Sequence, residues 1–376
     1  MTARASKSLE ALASRRLVVG FDGVASSPAL EELLRRGVGG VILFRRNVAS
    51  PVELAELVCD VKRRAGRPLL VGVDQEGGRV ARLRDGFTAL PSLRTVGLAG
   101  DAGLARALGK LIGTELRAVG VDLDFAPVLD VDTNPQNPVI GDRSFGRDPA
   151  RVAELGAAML RGLQEAGIAA CGKHFPGHGD TRQDSHHDLP RVPHALARME
   201  AVELVPFAAA VKAGVASLMT AHVVFDAVDA AHPATLSEAV LGGFLRDRLG
   251  YDGVVFSDDL EMGAITRHFG CAKAAVMALR AGVDQLLVCH SSHVAHAIID
   301  ALAAAAGADA ELRRRLEASE ARFDRLVAAY ARGPLVRRDL SVLENPAHRA
   351  VVASIAARAG LDVAAGGRDP TSRGEG

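Results

Sequence analysis

Tryptophan is absent from this chain of 376 residues, and aromatic residues make up only 4% of it. Proteins that hold single-stranded nucleic acid stack bases on aromatic side chains, and that platform is poorly supplied here. An excess of one charge is absent too, because 45 Lys and Arg balance 45 Asp and Glu. No overall field therefore favours a nucleic acid or an anionic membrane. Cysteine is scarce: Cys59, Cys171, Cys271 and Cys289 are far apart and form no Cys-x-x-Cys pair. They fit buried, reduced thiols better than disulfides or a zinc site. No uncharged apolar run reaches the ~18 residues of a membrane span. The first 16 residues carry no apolar core of a secretion signal. The expectation is a cytoplasmic, monomeric protein that partners neither nucleic acid nor membrane. The Gly-x-Gly-x-x-Gly fingerprint is missing after the first apolar run, as is the Walker loop, so nucleotide-binding folds lose support.

What the chain does contain is a repeated alternation. Eight short apolar runs lie at 17–21, 38–44, 69–73, 121–131, 167–171, 216–220, 253–256 and 285–289. Between them lie helical patterns, among them 28–36, 102–119, 150–166, 195–213, 238–249 and 272–281, with two more at 294–305 and 309–330. Continuous apolar runs mark strands buried on both faces, as in a parallel sheet. Eight β–α units over some 280 residues predict a single α/β domain, a (β/α)8 TIM-type barrel, over residues 1–335. Residues 336–376 form a C-terminal extension, and Gly366–Gly376 is expected to be a disordered tail.

Almost every run ends in polar or ionisable residues: Asp22, Asn47, Asp74, Lys173 with His174, His222, Asp258 and His290. In a barrel those ends share one face, where active sites are built. The densest cluster follows run five. Lys173 to Pro190 holds four of the 12 histidines, and its prolines and glycines forbid a regular helix. It is expected to be a loop delivered by a buried strand.

Three chemistries compete for these residues. Asp258 and Asp259 after run seven can supply a nucleophile, a general base or a metal ligand, although one of them can equally cap the next helix. Asp184 and His186 can form a proton-transfer dyad near neutral pH, or be ordinary members of a solvated loop. His174, His178, His186, His187 and Asp188 are zinc-type ligands, but Pro176-Gly177 breaks any helical pairing of His174 with His178. No His-Glu-x-x-His or cysteine pair accompanies them, so neither metal nor cofactor is expected. The cations Arg79, Arg82, Arg143 and Lys173, with Asp74, suit a polyhydroxylated or anionic ligand.

These residues also fall into known motifs. Lys173-His174-Phe175-Pro176-Gly177-His178-Gly179-Asp180-Thr181, then Asp184-Ser185-His186 and Leu189-Pro190, resembles the signature loop of bacterial glycoside hydrolase family 3 β-N-acetylglucosaminidases. Asp74-Gln75-Glu76-Gly77-Gly78-Arg79-Val80 with Arg82, Gly141-Asp142-Arg143-Ser144-Phe145 and Phe256-Ser257-Asp258-Asp259-Leu260-Glu261-Met262 correspond as well. The resemblance covers roughly residues 17–330, with no usable motif after about 335. It implies that Asp258 is a nucleophile forming a covalent glycosyl-enzyme, with net retention. His186 is then the acid/base, oriented by Asp184, and His222 is a weaker site candidate. Asp74, Arg82, Arg143, Lys173 and His174 are implied to bind the hydroxyls and N-acetyl group of a small carbohydrate substrate. A role in recycling cell-wall fragments is implied in the same way. A phosphorylase or β-glucosidase on the same fold, and a carbohydrate-binding barrel without activity, are the alternatives.

Overall fold

The computed structural model describes residues 8–181, 185, 189–334 and 339–361. Eight parallel strands close a barrel: β1 (Leu17–Val19), β2 (Gly40–Leu43), β3 (Leu70–Val73), β4 (Leu123–Asp124), β5 (Ala169–Phe175), β6 (Ser217–Thr220), β7 (Val254–Asp259) and β8 (Gln285–Val288). Closure is the parallel pairing of β1 with β8, Leu17 opposite Leu286 and Val19 opposite Val288. Helices α1 (Pro28–Arg36), α2 (Pro51–Ala65), α3 (Ala102–Ala118), α4 (Pro149–Glu165), α5 (Leu204–Lys212), α6 (Ala239–Arg248), α7 (Cys271–Ala281) and α8 (Ser292–Ala308) follow the strands in turn. Two more, α9 (Ala310–Tyr330) and α10 (Pro346–Arg358), come after the barrel. No described helix is long and apolar enough to cross a membrane.

The apolar runs are continuous because each strand feeds two cores. Val18, Ile42, Leu70, Leu123 and Leu287 join an inner cluster, while Leu17, Val19, Val41, Val71 and Val73 join the layer beneath the helices. Alternate strand residues face opposite sides, so both sides must be apolar. Phe125 and Phe256 meet edge to face within the inner cluster, 5.4 Å between ring centres. Phe323, Leu326 and Val327 of α9 belong to the same cluster. Arg15 and Arg16, just before β1, pair with Glu320 on α9, and Leu286 of β8 donates its N–H to the Arg16 carbonyl. The N-terminal end of the barrel is thereby plugged, and chemistry is left to the opposite end.

The helices start where the sequence places caps. Ser27 and Ser50 accept the N–H of Leu30 and Glu53, each followed by proline at the first helical position. Three expectations need correction. The single helix expected over 195–213 is two, Leu196–Ala201 and Leu204–Lys212, because Pro206 cannot donate a bond back into a continuous helix. The helix expected over 238–249 is a π-helix over Ala239–Arg248, with the weak helix formers Gly242-Gly243 near its centre. Run four forms a regular strand only over Leu123–Asp124; beyond it the chain still runs beside β5, with Val128 bridged to Lys173 and the Leu129 N–H donated to the Lys173 carbonyl.

Candidate active site

At the C-terminal end of the barrel lies a cavity of about 510 Å³. Its walls include Asp74, Glu76, Arg79, Arg82, Arg143, Lys173, His174, His178, Asp258 and His290. Four of the seven polar strand ends identified in the sequence therefore converge here. Asp22, Asn47 and His222 do not line it. Asp22 is 83% exposed and pairs with Arg46. The buried Asn47 amide donates to the Phe21 and Gly23 carbonyls and fastens the loop after β1.

Lys173 and His174 lie within β5 rather than in the loop expected after Cys171. The strand outlasts its apolar run because the charges at its end are matched. Lys173 Nζ lies 2.7 Å from both Asp74 Oδ1 and Glu76 Oε1. Arg143 grips Glu76 with two bonds of 2.8 Å, a bidentate fork that fixes the carboxylate plane. Arg82 stands 3.6 Å from Asp74 Oδ2. Burial disfavours the charge on Lys173 and Arg143, but Asp74 and Glu76 raise Lys173, and Glu76 raises Arg143. Burial likewise opposes the charge on Glu76, yet the two cations hold it well below the usual carboxylate range. The result is a wall of paired charges that borders the cavity. Arg79 is committed elsewhere, to Asp142 and the Val139 carbonyl.

His174 is oriented from behind by Asp130. The Asp130 carboxylate lies 2.7 Å from His174 Nδ1 and accepts the backbone N–H groups of His174 and His178. Its burial opposes ionisation, but His174 and these bonds keep its pKa low. His178, given no role by the motif, is itself buried. Its ring nitrogens meet Thr181 Oγ1 at 2.9 Å and Ser185 Oγ at 3.1 Å. Burial, with His174 close by, pushes it down to about 4.

Of the two aspartates on β7, Asp259 is built into the scaffold. Its Oδ1 accepts the N–H of Cys289 and of Glu261, and its Oδ2 lies 3.3 Å from His290 Nε2. That contact, opposed only partly by burial, raises His290. Asp258 borders the cavity and accepts the N–H of Asp259 at 2.8 Å. His222 is buried beneath them, bonded to Thr235 and the Asp259 carbonyl, and burial lowers its pKa. It supports the floor. Asp184 and His186 lie outside the described residues, although Ser185 between them accepts at its carbonyl the N–H of Ala264, in the short helix Gly263–Thr266 that follows β7. Among the described residues, no group of three or more His, Cys, Asp or Glu is arranged to hold a metal ion.

Glu76 and Asp130 were not singled out in the sequence, and His178 was weighed there only as a zinc-type ligand. Glu76 lay inside a quoted motif. Asp130 carried the better signal, one of three aspartates, with Asp122 and Asp124, inside the apolar run 121–131, where an ionised group needs partners.

Comparison with known proteins agrees with this geometry. The glycosyl hydrolase family 3 N-terminal domain matches residues 17–326. A β-hexosaminidase of Thiobacillus denitrificans is 47% identical over 268 residues, spanning 70% of this chain and 74% of its own. A family 3 β-N-acetylglucosaminidase from a Paenibacillus species superposes with TM-score 0.89 at 44% identity, covering 94% of this chain and 69% of that one. NagZ of Neisseria gonorrhoeae, in complex with N-trifluoroacetyl-D-glucosamine, superposes with TM-score 0.77 at 34% identity, covering 92% and 97%. The chain belongs to glycoside hydrolase family 3 and is a glycoside hydrolase of the β-N-acetylhexosaminidase type.

Proposed function

We propose that this enzyme removes terminal β-linked N-acetylglucosamine with retention, acting as a cytoplasmic monomer on cell-wall fragments. The observation that carries the proposal is the ionised wall of Asp74, Glu76, Arg143 and Lys173 lining the same cavity as Asp258. Such a wall offers acceptors and donors at fixed positions to a ring of hydroxyls, and the Neisseria neighbour holds an N-acylglucosamine. Asp74, Arg82, Arg143, Lys173 and His174 bind the sugar.

In the first step the Asp258 carboxylate attacks the anomeric carbon, and the glycosidic bond breaks. The departing oxygen takes a proton from His186, which Asp184 orients. In the second step a water gives its proton back to His186 and attacks the same carbon, releasing Asp258. Two inversions give net retention. An imidazole in place of the usual second carboxylate adds no negative charge beside the anionic nucleophile.

Incubation with a chromogenic N-acetyl-β-glucosaminide beside the matching β-glucoside tests the assignment. Faster release from the N-acetyl substrate is expected, and a preference for the glucoside would remove the N-acetyl assignment. Adding phosphate separates hydrolysis from phosphorolysis: free sugar is expected, and sugar 1-phosphate as the main product would overturn it.

A further inference from the structure

One buried carboxylate is left unused by this chemistry. Glu115 lies in the last turn of α3 and is 4% exposed. An anion there opposes the helix dipole, so its partners must hold it. Its oxygens accept four hydrogen bonds: from Thr88 N at 3.0 Å, Thr88 Oγ1 at 2.6 Å, Glu344 N at 3.0 Å and His348 Nδ1 at 2.9 Å. Two of these come from the loop after β3. The other two come from the C-terminal segment, which lies beyond the matched family domain.

Each arm is built to make the contact. Glu344 is the one non-glycine residue among those described with a left-handed φ, 47°, and in that conformation its N–H meets Glu115. Asn345 caps α10 by accepting the His348 N–H, which sets His348 in the first turn. Ile355 is fully buried, and α10 packs on α3 and on the helix Leu93–Ala99.

Both arms lead to the sugar-binding wall. Thr88 belongs to a loop closed on itself: Gln75 Oε1 accepts the N–H of Arg82 and Leu83, and Gly78 N donates to the Leu90 carbonyl. Pinning Thr88 therefore steadies the hairpin that carries Glu76 and Arg82. From the helix Leu93–Ala99, Arg94 donates to the Gly141 carbonyl, two residues before Arg143. We propose that residues 339–361 form a strap that positions the substrate wall through His348, Glu115 and Thr88. These three are positioning residues for sugar binding, and the proposal rests on the assignment of Asp74, Arg82 and Arg143 to that role.

The test uses the full chain with His348→Ala and, from the other side of the latch, Thr88→Val. KM and kcat are measured on the chromogenic N-acetyl-β-glucosaminide, with thermal midpoints and Arg82→Ala in parallel. Each latch variant is expected to raise KM on the order of fivefold while kcat changes less than about twofold. The double variant is expected to raise it no further than either single, since both break one network. His348→Asn, whose amide nitrogen replaces Nδ1, is expected to restore KM. A lowered thermal midpoint with unchanged KM would overturn the strap as a positioning device. Unchanged KM in Arg82→Ala would instead overturn the sugar-site assignment beneath it.

Discussion

Lys173 Nζ on β5 lies 2.7 Å from Oδ1 of Asp74 at the end of β3, reaching past β4 to join two strands that do not touch. The same ammonium meets Glu76, so one cation closes that side of the mouth. Lys173→Met leaves two carboxylates short of their partner. Breaking a buried pair from one side costs roughly 3–5 kcal/mol. Chemical denaturation is expected to show a loss in that range, with kcat/KM down at least ~100-fold. Lys173→Arg is not expected to rescue activity, because a planar fork cannot replace a point charge shared between two acids. A Lys173→Met enzyme as stable as the parent would contradict the ionised-wall description.

His178 meets Ser185 beyond the wall and carries a pH signature. Its pKa in the fold is about 4 against an ordinary 6.5. Between those values the unfolded chain binds a proton that the folded chain refuses. Stability therefore falls as pH drops from 6.5 towards 4, by up to roughly 3 kcal/mol in all. Replacing His178 with Gln is expected to flatten that slope. An unchanged slope in the pH dependence of unfolding would refute the assignment.

Asp130 should act on sugar binding through His174, whose ring it holds. Asp130→Asn keeps the shape but removes the charge that holds the His174 ring and two backbone N–H groups. Hydrogen bonds to a charged group contribute about 1.5–3 kcal/mol. A rise in KM of about 10–100-fold is expected, with the fold retained by circular dichroism. Unaltered kinetics would mean that His174 does not touch substrate.

Gly179 is a position where only glycine fits. A Cβ there would lie 1.8 Å from the Val131 carbonyl oxygen, a backbone atom with no freedom to move. Overpacking of this kind costs typically about 1–3 kcal/mol. Gly179→Ala is expected to lower the thermal midpoint and slow turnover, because the base of the Asp184–His186 loop must shift. Wild-type turnover in that variant would uncouple the loop base from catalysis.

The barrel was legible because both faces of each strand are buried, which forces eight apolar runs, and because polar residues gather at one end of those runs. The limits were physical as well. The end of β5 was hidden, since Lys173 and His174 look like loop residues until Asp74, Glu76 and Asp130 are brought beside them from elsewhere in the chain. The physical reading of adjacent letters left Asp258 and Asp259 open, and the family resemblance alone chose Asp258; the bonds from Cys289, Glu261 and His290 that tie Asp259 into the scaffold come from distant parts of the chain. The Glu115 latch was invisible for the same reason, joining residues 88, 115 and 348 across separations that no local pattern records.

The proposed mechanism passes through a covalent intermediate on Asp258. The most direct measurement is mass spectrometry of the enzyme after incubation with a fluorinated N-acetylglucosaminide whose glycosyl-enzyme turns over slowly. One added sugar is expected on the peptide containing Asp258, and none on an Asp258→Ala variant. A sugar attached to a different residue, or an unmodified enzyme releasing product of inverted configuration, would contradict it.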